Sequence, residues 1–505
     1  MQQESKRPRT GLRRAALMAS LVMAASGCTT VGPDYHPPAV EVPAKWVEAG
    51  GALSPRDPEG LRAWWRAFDD PMLDRLVDQA LDRNQDLDIA LARLRQARAE
   101  RIQIASASLP ALGVGATGEA RRGSKALGPL PGGESRTWQV GFDASWELDL
   151  FGGTRRAVEA ADADIQALAD DHRALRVSLV AELVSRYAGL RATQMRLAIA
   201  HDNLRTLREA ERLAEQSWRR GLGSQAEVMQ ARAERETAEA QPPLLEADVA
   251  RFSHAIGVLA GGFPGDWHAA LAEPAAVLPA PVRLPLSLPS EVLRQRPDLR
   301  ADERRLAAAT ARIGVAEAER LPTFRIPLGI DTTASLIHSL FSSASLAWAV
   351  GAQGAGHQFG KLAPAQASQR LYDGGRARAG VTAAQANADA ARLVYERDVR
   401  VALREVEDAL TALTSERQRQ ASLREAVADS GKALDQSTRL YARGLSAYLP
   451  VLVAQRTVNQ ARDALALSQW EEMRGVIALY KSLGAGWPDE PSAQAADHTT
   501  MSTSR

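Results

Sequence analysis

Residues 137–150 read Thr-Trp-Gln-Val-Gly-Phe-Asp-Ala-Ser-Trp-Glu-Leu-Asp-Leu. Alternate positions separate cleanly: Trp138, Val140, Phe142, Ala144, Trp146, Leu148 and Leu150 on one side, Thr137, Gln139, Gly141, Asp143, Ser145, Glu147 and Asp149 on the other. Successive side chains of a strand point to opposite faces, so this is a strand with one apolar and one polar face. A soluble sandwich strand usually holds such a pattern for about five or six residues. Here it persists through a length that crosses a tilted bilayer. Trp138 and Trp146 then suit the two membrane–water interfaces, and Asp143, Glu147 and Asp149 face a wet lumen.

A partner strand starts near Ala111, across the Gly/Pro-rich loop Gly123–Ser135. A second hairpin is expected between a strand from Phe324 and the region Leu346–Tyr372, giving four strands in all. Four strands cannot close a barrel, and an open edge in hydrocarbon leaves backbone groups unpaired. Several copies of the chain must therefore pool their strands. Two features disturb the second hairpin. Pro327 interrupts its strand, and Gly354–Pro364, with His357, Lys361 and Pro364, breaks the alternation. That stretch reads either as an enlarged extracellular loop or as a segment that spoils the barrel.

The remainder is helical and duplicated. Asp86-Leu87 matches Asp298-Leu299, Arg93-Leu94 matches Arg305-Leu306, and Leu109-Pro110 matches Leu321-Pro322, all 212 positions apart. Gly152-Gly153 matches Gly374-Gly375, and Arg220-Gly221-Leu222 matches Arg443-Gly444-Leu445. Each half has a short helix, a helix ending at Leu-Pro, a hairpin, a long helix, a Gly turn and a return helix. The long helices are expected from Thr154 to about Arg219 and from Arg376 to about Ala442, with no proline in either. Each would extend about 100 Å. Helices of that length must pack on neighbours, and Leu175, Leu179, Leu183 and Leu190 supply a seam for antiparallel coiled-coil packing. Pro242-Pro243 splits the first return helix in two.

Composition excludes several function classes. Net charge is +1, so no global field calls for nucleic acid, and aromatic residues are only 5% of the 505. The one cysteine, Cys28, rules out disulfides within the chain and cysteine-built zinc or iron–sulfur sites. No nucleophile elbow, phosphate loop or metal-ligand cluster appears, so neither an enzyme nor a cofactor is expected. Carboxylate pairs such as Asp69-Asp70 and Asp170-Asp171 read as helix starts or solvated faces. No apolar stretch after the N-terminal one reaches the ~20 residues of a membrane helix.

At the N-terminus, Lys6, Arg7, Arg9, Arg13 and Arg14 precede an apolar stretch, Ala15–Ala25, and then Ser26-Gly27-Cys28. This is a secretory signal layout, and small residues before a lone cysteine resemble a bacterial lipobox, with Cys28 acylated. Ala25 stands where leucine is commonest, and Ala24-Ala25 also offers an ordinary cleavage site. Thr29 after the cysteine, rather than Asp, is similar to lipoproteins sorted to the outer membrane.

With duplication, hairpins and long helices in place, the chain resembles the TolC-like outer-membrane efflux proteins, in their NodT-type lipoprotein branch. Val31-Gly32-Pro33-Asp34-Tyr35, Trp64-Trp65-Arg66-Ala67-Phe68-Asp69-Asp70-Pro71-Met72-Leu73, Trp146–Gly152 and Tyr372-Asp373-Gly374-Gly375-Arg376 carry the likeness. The resemblance implies a mixed α and β, mostly helical fold. Three copies would form a homotrimeric, twelve-stranded β-barrel continuing into a periplasmic α-helical tunnel. It implies a passive outer-membrane duct that works with a periplasmic adaptor and an inner-membrane RND transporter. It also implies a gate at the periplasmic tip, where a shift of the outer helical hairpins dilates the opening. Tyr448, Leu449 and Val453 are the gate candidates by position. Leu449 aligns with a constriction leucine, or else belongs to the coiled-coil core, and Val453 stands where relatives carry an acidic residue. Glu227, in the equivalent turn of the first half, would supply negative charge, or else is a solvated helix-start carboxylate.

The expected organisation is a signal peptide over 1–27, an anchored extended segment over 28–70 and a first repeat over 71–262 with its hairpin at about 110–151. A Pro-rich linker over 263–289 leads to a second repeat over 290–486, with its hairpin at about 322–373. A disordered polar tail over 487–505 ends the chain. A rival reading, a periplasmic adaptor or scaffold lipoprotein, accounts for the anchor and the helices. It does not account for a duplicated half with bilayer-length strands.

Overall fold

The computed structural model describes residues 30–47, 53–54, 61–122, 134–273, 284–285, 289–350, 366–370 and 372–487. The signal peptide, Cys28, Gly354–Pro364, most of the Pro-rich linker and the tail beyond Trp487 lie outside the described residues.

In chain order the elements are β1 (Leu53–Ser54), α1 (Pro71–Arg83), α2 (Gln85–Ser106), β2 (Ala111–Arg122), β3 (Glu134–Leu148) and α3 (Gly153–Arg219). Then follow α4 (Gln225–Glu239), α5 (Pro242–Leu259), α6 (His268–Ala272), β4 (Leu284–Pro285), α7 (Pro289–Gln295), α8 (Pro297–Ala318) and β5 (Thr323–Ala334). The chain ends with β6 (Leu346–Val350), β7 (Gln366–Ser368), α9 (Arg376–Ala442) and α10 (Leu449–Ser482).

The two long helices, α3 and α9, have 67 residues each. Both stop in the same way. Leu222 N–H donates back to Ser217 O and Gly221 N–H to Trp218 O, each at 2.9 Å, while Leu445 and Gly444 repeat the pattern onto Leu440 and Tyr441. This is the Schellman arrangement, which needs a left-handed residue after the helix. Gly221 and Gly444 supply it at φ +70° and +71°. The halves differ on the return. Pro242 and Pro243, lacking N–H donors, start α5 after α4 has ended at Glu239, whereas α10 runs unbroken for 34 residues.

The described chain divides into two compact units. The first, drawn from residues 30–38, 94–167 and 302–395, holds the membrane-type sheet in the order β2-β3-β5-β6, with β7 also on β5. All pairings in it are antiparallel, and β3–β5 joins the two repeats. Leu328 faces Val350 on β6, yet Arg325 faces Gln366 on β7, so three steps on β5 correspond to sixteen on its partner. The β5–β6 connection, residues 335–345, is described. The residues between β6 and β7, with Gly354–Pro364 among them, lie outside the described residues. Pro327 pairs with Ser145 on β3 but sits between the two registers on its other side. A residue without an N–H interrupts a ladder least at such a place, which is why β5 continues through it.

The second unit holds the larger apolar core. Trp64 stacks on Tyr480, centroids 4.8 Å apart, and Leu179, Leu183 and Leu190 of the predicted seam are buried with Tyr187. Asp70 does two jobs here. One oxygen accepts from Met72 N (2.8 Å) and Leu73 N (3.1 Å) to cap α1, and the other accepts from the Tyr187 hydroxyl at 2.6 Å. Asp70→Ala should therefore cost about 2 kcal/mol, a lost cap plus a Tyr187 O–H left without its acceptor. Tyr187→Phe, which spares the cap, should cost about 1 kcal/mol. Unfolding midpoints in detergent check both, and an unchanged midpoint for Asp70→Ala would contradict the dual role.

Candidate functional site: a two-faced sheet and an apolar helical tip

In the first unit the strand alternation becomes two continuous faces. Val114, Phe142, Ile330 and Trp348 stand opposite one another across all four strand positions, and all four are exposed. Leu112, Ala144 and Leu328 form the next row, with Leu112 and Leu328 exposed. So broad an unshielded apolar face is costly in water, about 25 cal/mol per Å², and calls for lipid or protein against it. Trp138 and Trp146 share this face, eight residues and therefore about 27 Å apart along the strand. The Trp138 ring lies over Gly118, where a Cβ would collide with it. The Trp146 indole N–H donates to Ser108 O at 2.9 Å.

The opposite face is polar and open. Asp143 is exposed between Gly113 and Gly329 on the flanking strands, so no side chain crowds its carboxylate from the facing positions. Asp331, which sequence reasoning did not single out, accepts from Gln139 and from Thr333 Oγ1, both at 2.8 Å. Its signal was available: it holds the polar phase of β5, one step from Asp143. Glu147 pairs across the strands with Arg325 at 2.9 Å. Asp149 departs from expectation. β3 ends at Leu148, and the Asp149 carboxylate accepts from the N–H groups of Thr154 (3.2 Å) and Arg155 (3.0 Å) at the start of α3. A carboxylate there meets the unpaired donors and positive end of the helix, so Asp149 is a helix cap and not a lumen group.

In the second unit the two Gly turns lie at the ends of helical hairpins whose apolar residues sort into buried and exposed sets. Tyr448, which precedes α10, and Val451 and Leu452 of its first turn are buried with Ala214 of α3 and Val228 and Ala231 of α4. Val228 and Val451 are repeat mates, so the duplication places the same valine in the same cluster. Tyr448 is only 1% exposed, and burial pushes its phenol up to about 12. It is therefore core and cannot line an opening. Leu449 and Val453, in contrast, are 59% and 55% exposed. Four residues apart, they share one face of α10. With Ser430 and Ala433 of α9 and Pro450, Ala454 and Thr457 of α10 they line an apolar groove of ≈ 480 Å³. Leu222 and Leu445 in the turns are exposed as well.

Glu227 is also accounted for locally. Its carboxylate accepts from Ser224 N–H (3.2 Å) while Ser224 Oγ accepts from Glu227 N–H (3.3 Å), a capping box that starts α4. Its charge serves that helix end. Below the tip, polar links tie α10 to α3 and α4: Arg196 to Asp463 (2.7 Å), Arg462 to Asp202 (3.0 Å), Arg456 to Glu234 (2.9 Å) and Gln455 to Asn203 (3.1 Å). These links were not anticipated. Charges spaced by seven on α10, Arg456 and Asp463, were the available hint. Among the described residues no group of three or more His, Cys, Asp or Glu could hold a metal, and no helix is long and apolar enough to cross a membrane.

Comparison with known proteins agrees with this geometry. The family model for "Outer membrane efflux protein" matches residues 76–262 and 288–485, one match for each repeat. Nodulation protein T of Rhizobium leguminosarum bv. trifolii is 31% identical over 477 residues, 93% of this chain and 96% of that one. The toluene efflux pump outer membrane protein TtgI of Pseudomonas putida is 32% identical, covering 91% and 96%. Among solved structures, the outer-membrane channel OprN superposes with a TM-score of 0.84 at 37% identity, over 91% of this chain and 100% of that chain. The chain belongs to the outer membrane efflux protein family and is an efflux channel of the outer membrane.

Proposed function

We propose that this channel acts as a homotrimer, the passive exit duct of a tripartite pump, with a periplasmic adaptor and an inner-membrane RND transporter as partners. One observation carries the reading: a four-position sheet whose outer strands, β2 on one side and β6 with β7 on the other, have no further neighbour among the described residues, and whose apolar face is bare there. Such edges are tolerated in hydrocarbon only when another sheet pairs with them. Three copies make twelve strands, an even number wide enough for an aqueous bore. The apolar face then meets lipid between belts at Trp138 and Trp146, and Asp143, Asp331 and the Glu147–Arg325 pair face the water. The duct performs no reaction; the transporter supplies the energy, and small solutes pass down a wet polar path.

The helical tips, on this reading, face the periplasm. Leu449 and Val453 from three copies converge as two apolar levels, so the closed tip is dewetted rather than charged. Tyr448 and Glu227 take no part in the ring, because one is core and the other a cap. The exposed Arg220-Gly221-Leu222 and Arg443-Gly444-Leu445 turns offer the adaptor a leucine and a cation each. Cys28 is the acylated residue that anchors the chain, and a relative named as a probable outer membrane lipoprotein, SilC of Salmonella typhimurium, is 27% identical over 93% of this chain.

Three measurements test these assignments. Purified protein should run as a heat-modifiable oligomer from outer-membrane fractions and conduct in planar bilayers; a detergent-free soluble monomer would end the proposal. Leu449→Ala should raise single-channel conductance or antibiotic leakage several-fold, with a further rise for Leu449→Ala/Val453→Ala. An unaltered conductance in the double variant would remove both from the gate. Cys28→Ala should abolish fatty-acid labelling, and persistent labelling would rule that anchor out.

A further inference from the structure

The residues that follow the expected anchor thread through a built receptacle in the first unit. Val31 N–H donates to Phe151 O at 3.1 Å. The Arg156 guanidinium, 4% exposed, donates to the main-chain carbonyls of Val31 (3.0 Å) and Gly32 (3.2 Å). It also donates to the carboxylates of Asp34 (2.7 Å) and Glu159 (2.8 Å). Backbone meets backbone on the other side. Gly32, at φ +90°, leaves no room for a Cβ against Gly314, and a Cβ on Gly314 would stand 2.6 Å from Val31 O and 2.7 Å from the Arg156 side chain. A Cβ on Gly152 would stand 2.6 Å from the Thr30 methyl. Tyr35 closes the path, its hydroxyl donating to Glu303 at 3.2 Å beneath the Arg304 guanidinium.

A free leash between a lipid and a folded body needs none of this. Withdrawing a guanidinium from water costs several kcal/mol unless its donors are satisfied, and here two of the acceptors are main-chain carbonyls of the strap itself. Removing the strap would leave Arg156 without them. The receptacle is assembled from the junction between the end of β3 at Leu148 and the start of α3 at Gly153, together with Gly314 of α8. Thr30 lies against that junction, and only Thr29 separates it from Cys28, a reach of at most about 7 Å.

We propose that residues 30–35 seated among Gly152, Arg156 and Gly314 form a rigid mount for the lipid anchor, holding the acyl chains of Cys28 at the rim of the sheet. The inference rests on the reading of Cys28 as acylated and of the sheet as membrane-spanning. Bilayer forces on the acyl chains then act directly on the strand-to-helix junction.

Chymotrypsin applied to the full-length protein solubilised in detergent tests the mount, because cleavage after Tyr35 releases the acylated peptide 28–35. The unaltered protein should keep its fatty-acid label. Arg156→Met and Gly314→Ala should each lose it at least ten times faster, without new fragments from the rest of the chain. Gly380→Ala, a helical glycine of the same unit with open space around it, should behave like the parent. Parent-like rates in both Arg156→Met and Gly314→Ala would overturn the mount, as would rapid label loss from the parent. If the parent carries no fatty acid, the anchor assignment fails, and the intact N-terminal mass after digestion still reports whether the strap is seated.

Discussion

A peptide group in hydrocarbon has no water to turn to, and this requirement orders the rest of the molecule. The chain devotes β2, β3, β5 and the β6/β7 path to a sheet in which every inner strand is paired on both sides, yet among the described residues each border strand is paired on one side only. The cost of leaving several N–H and C=O groups bare in lipid is several kcal/mol apiece. No adjustment of side chains offsets that. Association of copies is therefore a condition for placing this sheet in a membrane, and the apolar rows that run straight across its strands are the chemical counterpart of the same condition.

Duplication gives each half the same parts, but they have not stayed equivalent. Both halves end the long helix on a left-handed glycine and set a valine, Val228 or Val451, into one shared apolar cluster. The first return path is then cut by Pro242-Pro243, whereas the second continues as one helix carrying Arg456, Arg462 and Asp463 to carboxylates and an arginine of α3 and α4. The unbroken helix presents Leu449 and Val453 to the outside; the interrupted one begins with a capping box. That asymmetry is what leads the proposed gate to be built from only one of the two hairpins.

The elements most legible in the sequence were those fixed by periodicity and by residues with strict backbone demands. Period-two alternation located β3, and the Gly turns located the ends of α3 and α9 almost to the residue. What stayed hidden depended on where a side chain finds its partner. Asp149 continues the polar phase of the strand in sequence, but the donors at the start of α3 claim its carboxylate. Tyr448 and Leu449 are neighbours in sequence and opposites in environment, because a helix turns about 100° per residue and only one face meets the cluster. Asp331 was overlooked because Pro327 lowered the apparent regularity of β5. The register jump between β6 and β7 is a relation between distant segments that no local pattern encodes.

The packing of the tip also bears on how an opening can proceed. Separating the two hairpins within one chain would expose Tyr448, Val451, Leu452, Val228 and Ala231 together. At roughly 1.5–3 kcal/mol for each large side chain, that is more than a single docking contact can readily supply. The Arg456–Glu234 and Arg462–Asp202 links have largely exposed guanidiniums, and pairs of that kind are worth only about 0–1 kcal/mol each. Leu449 and Val453, more than half exposed, have less intramolecular burial to lose. In the proposed trimer, a movement that keeps the cluster intact, exchanges the exposed ion pairs and draws Leu449 and Val453 of different copies apart therefore has the lower barrier. A partner that binds the dilated tip more tightly by a few kcal/mol suffices to shift that balance.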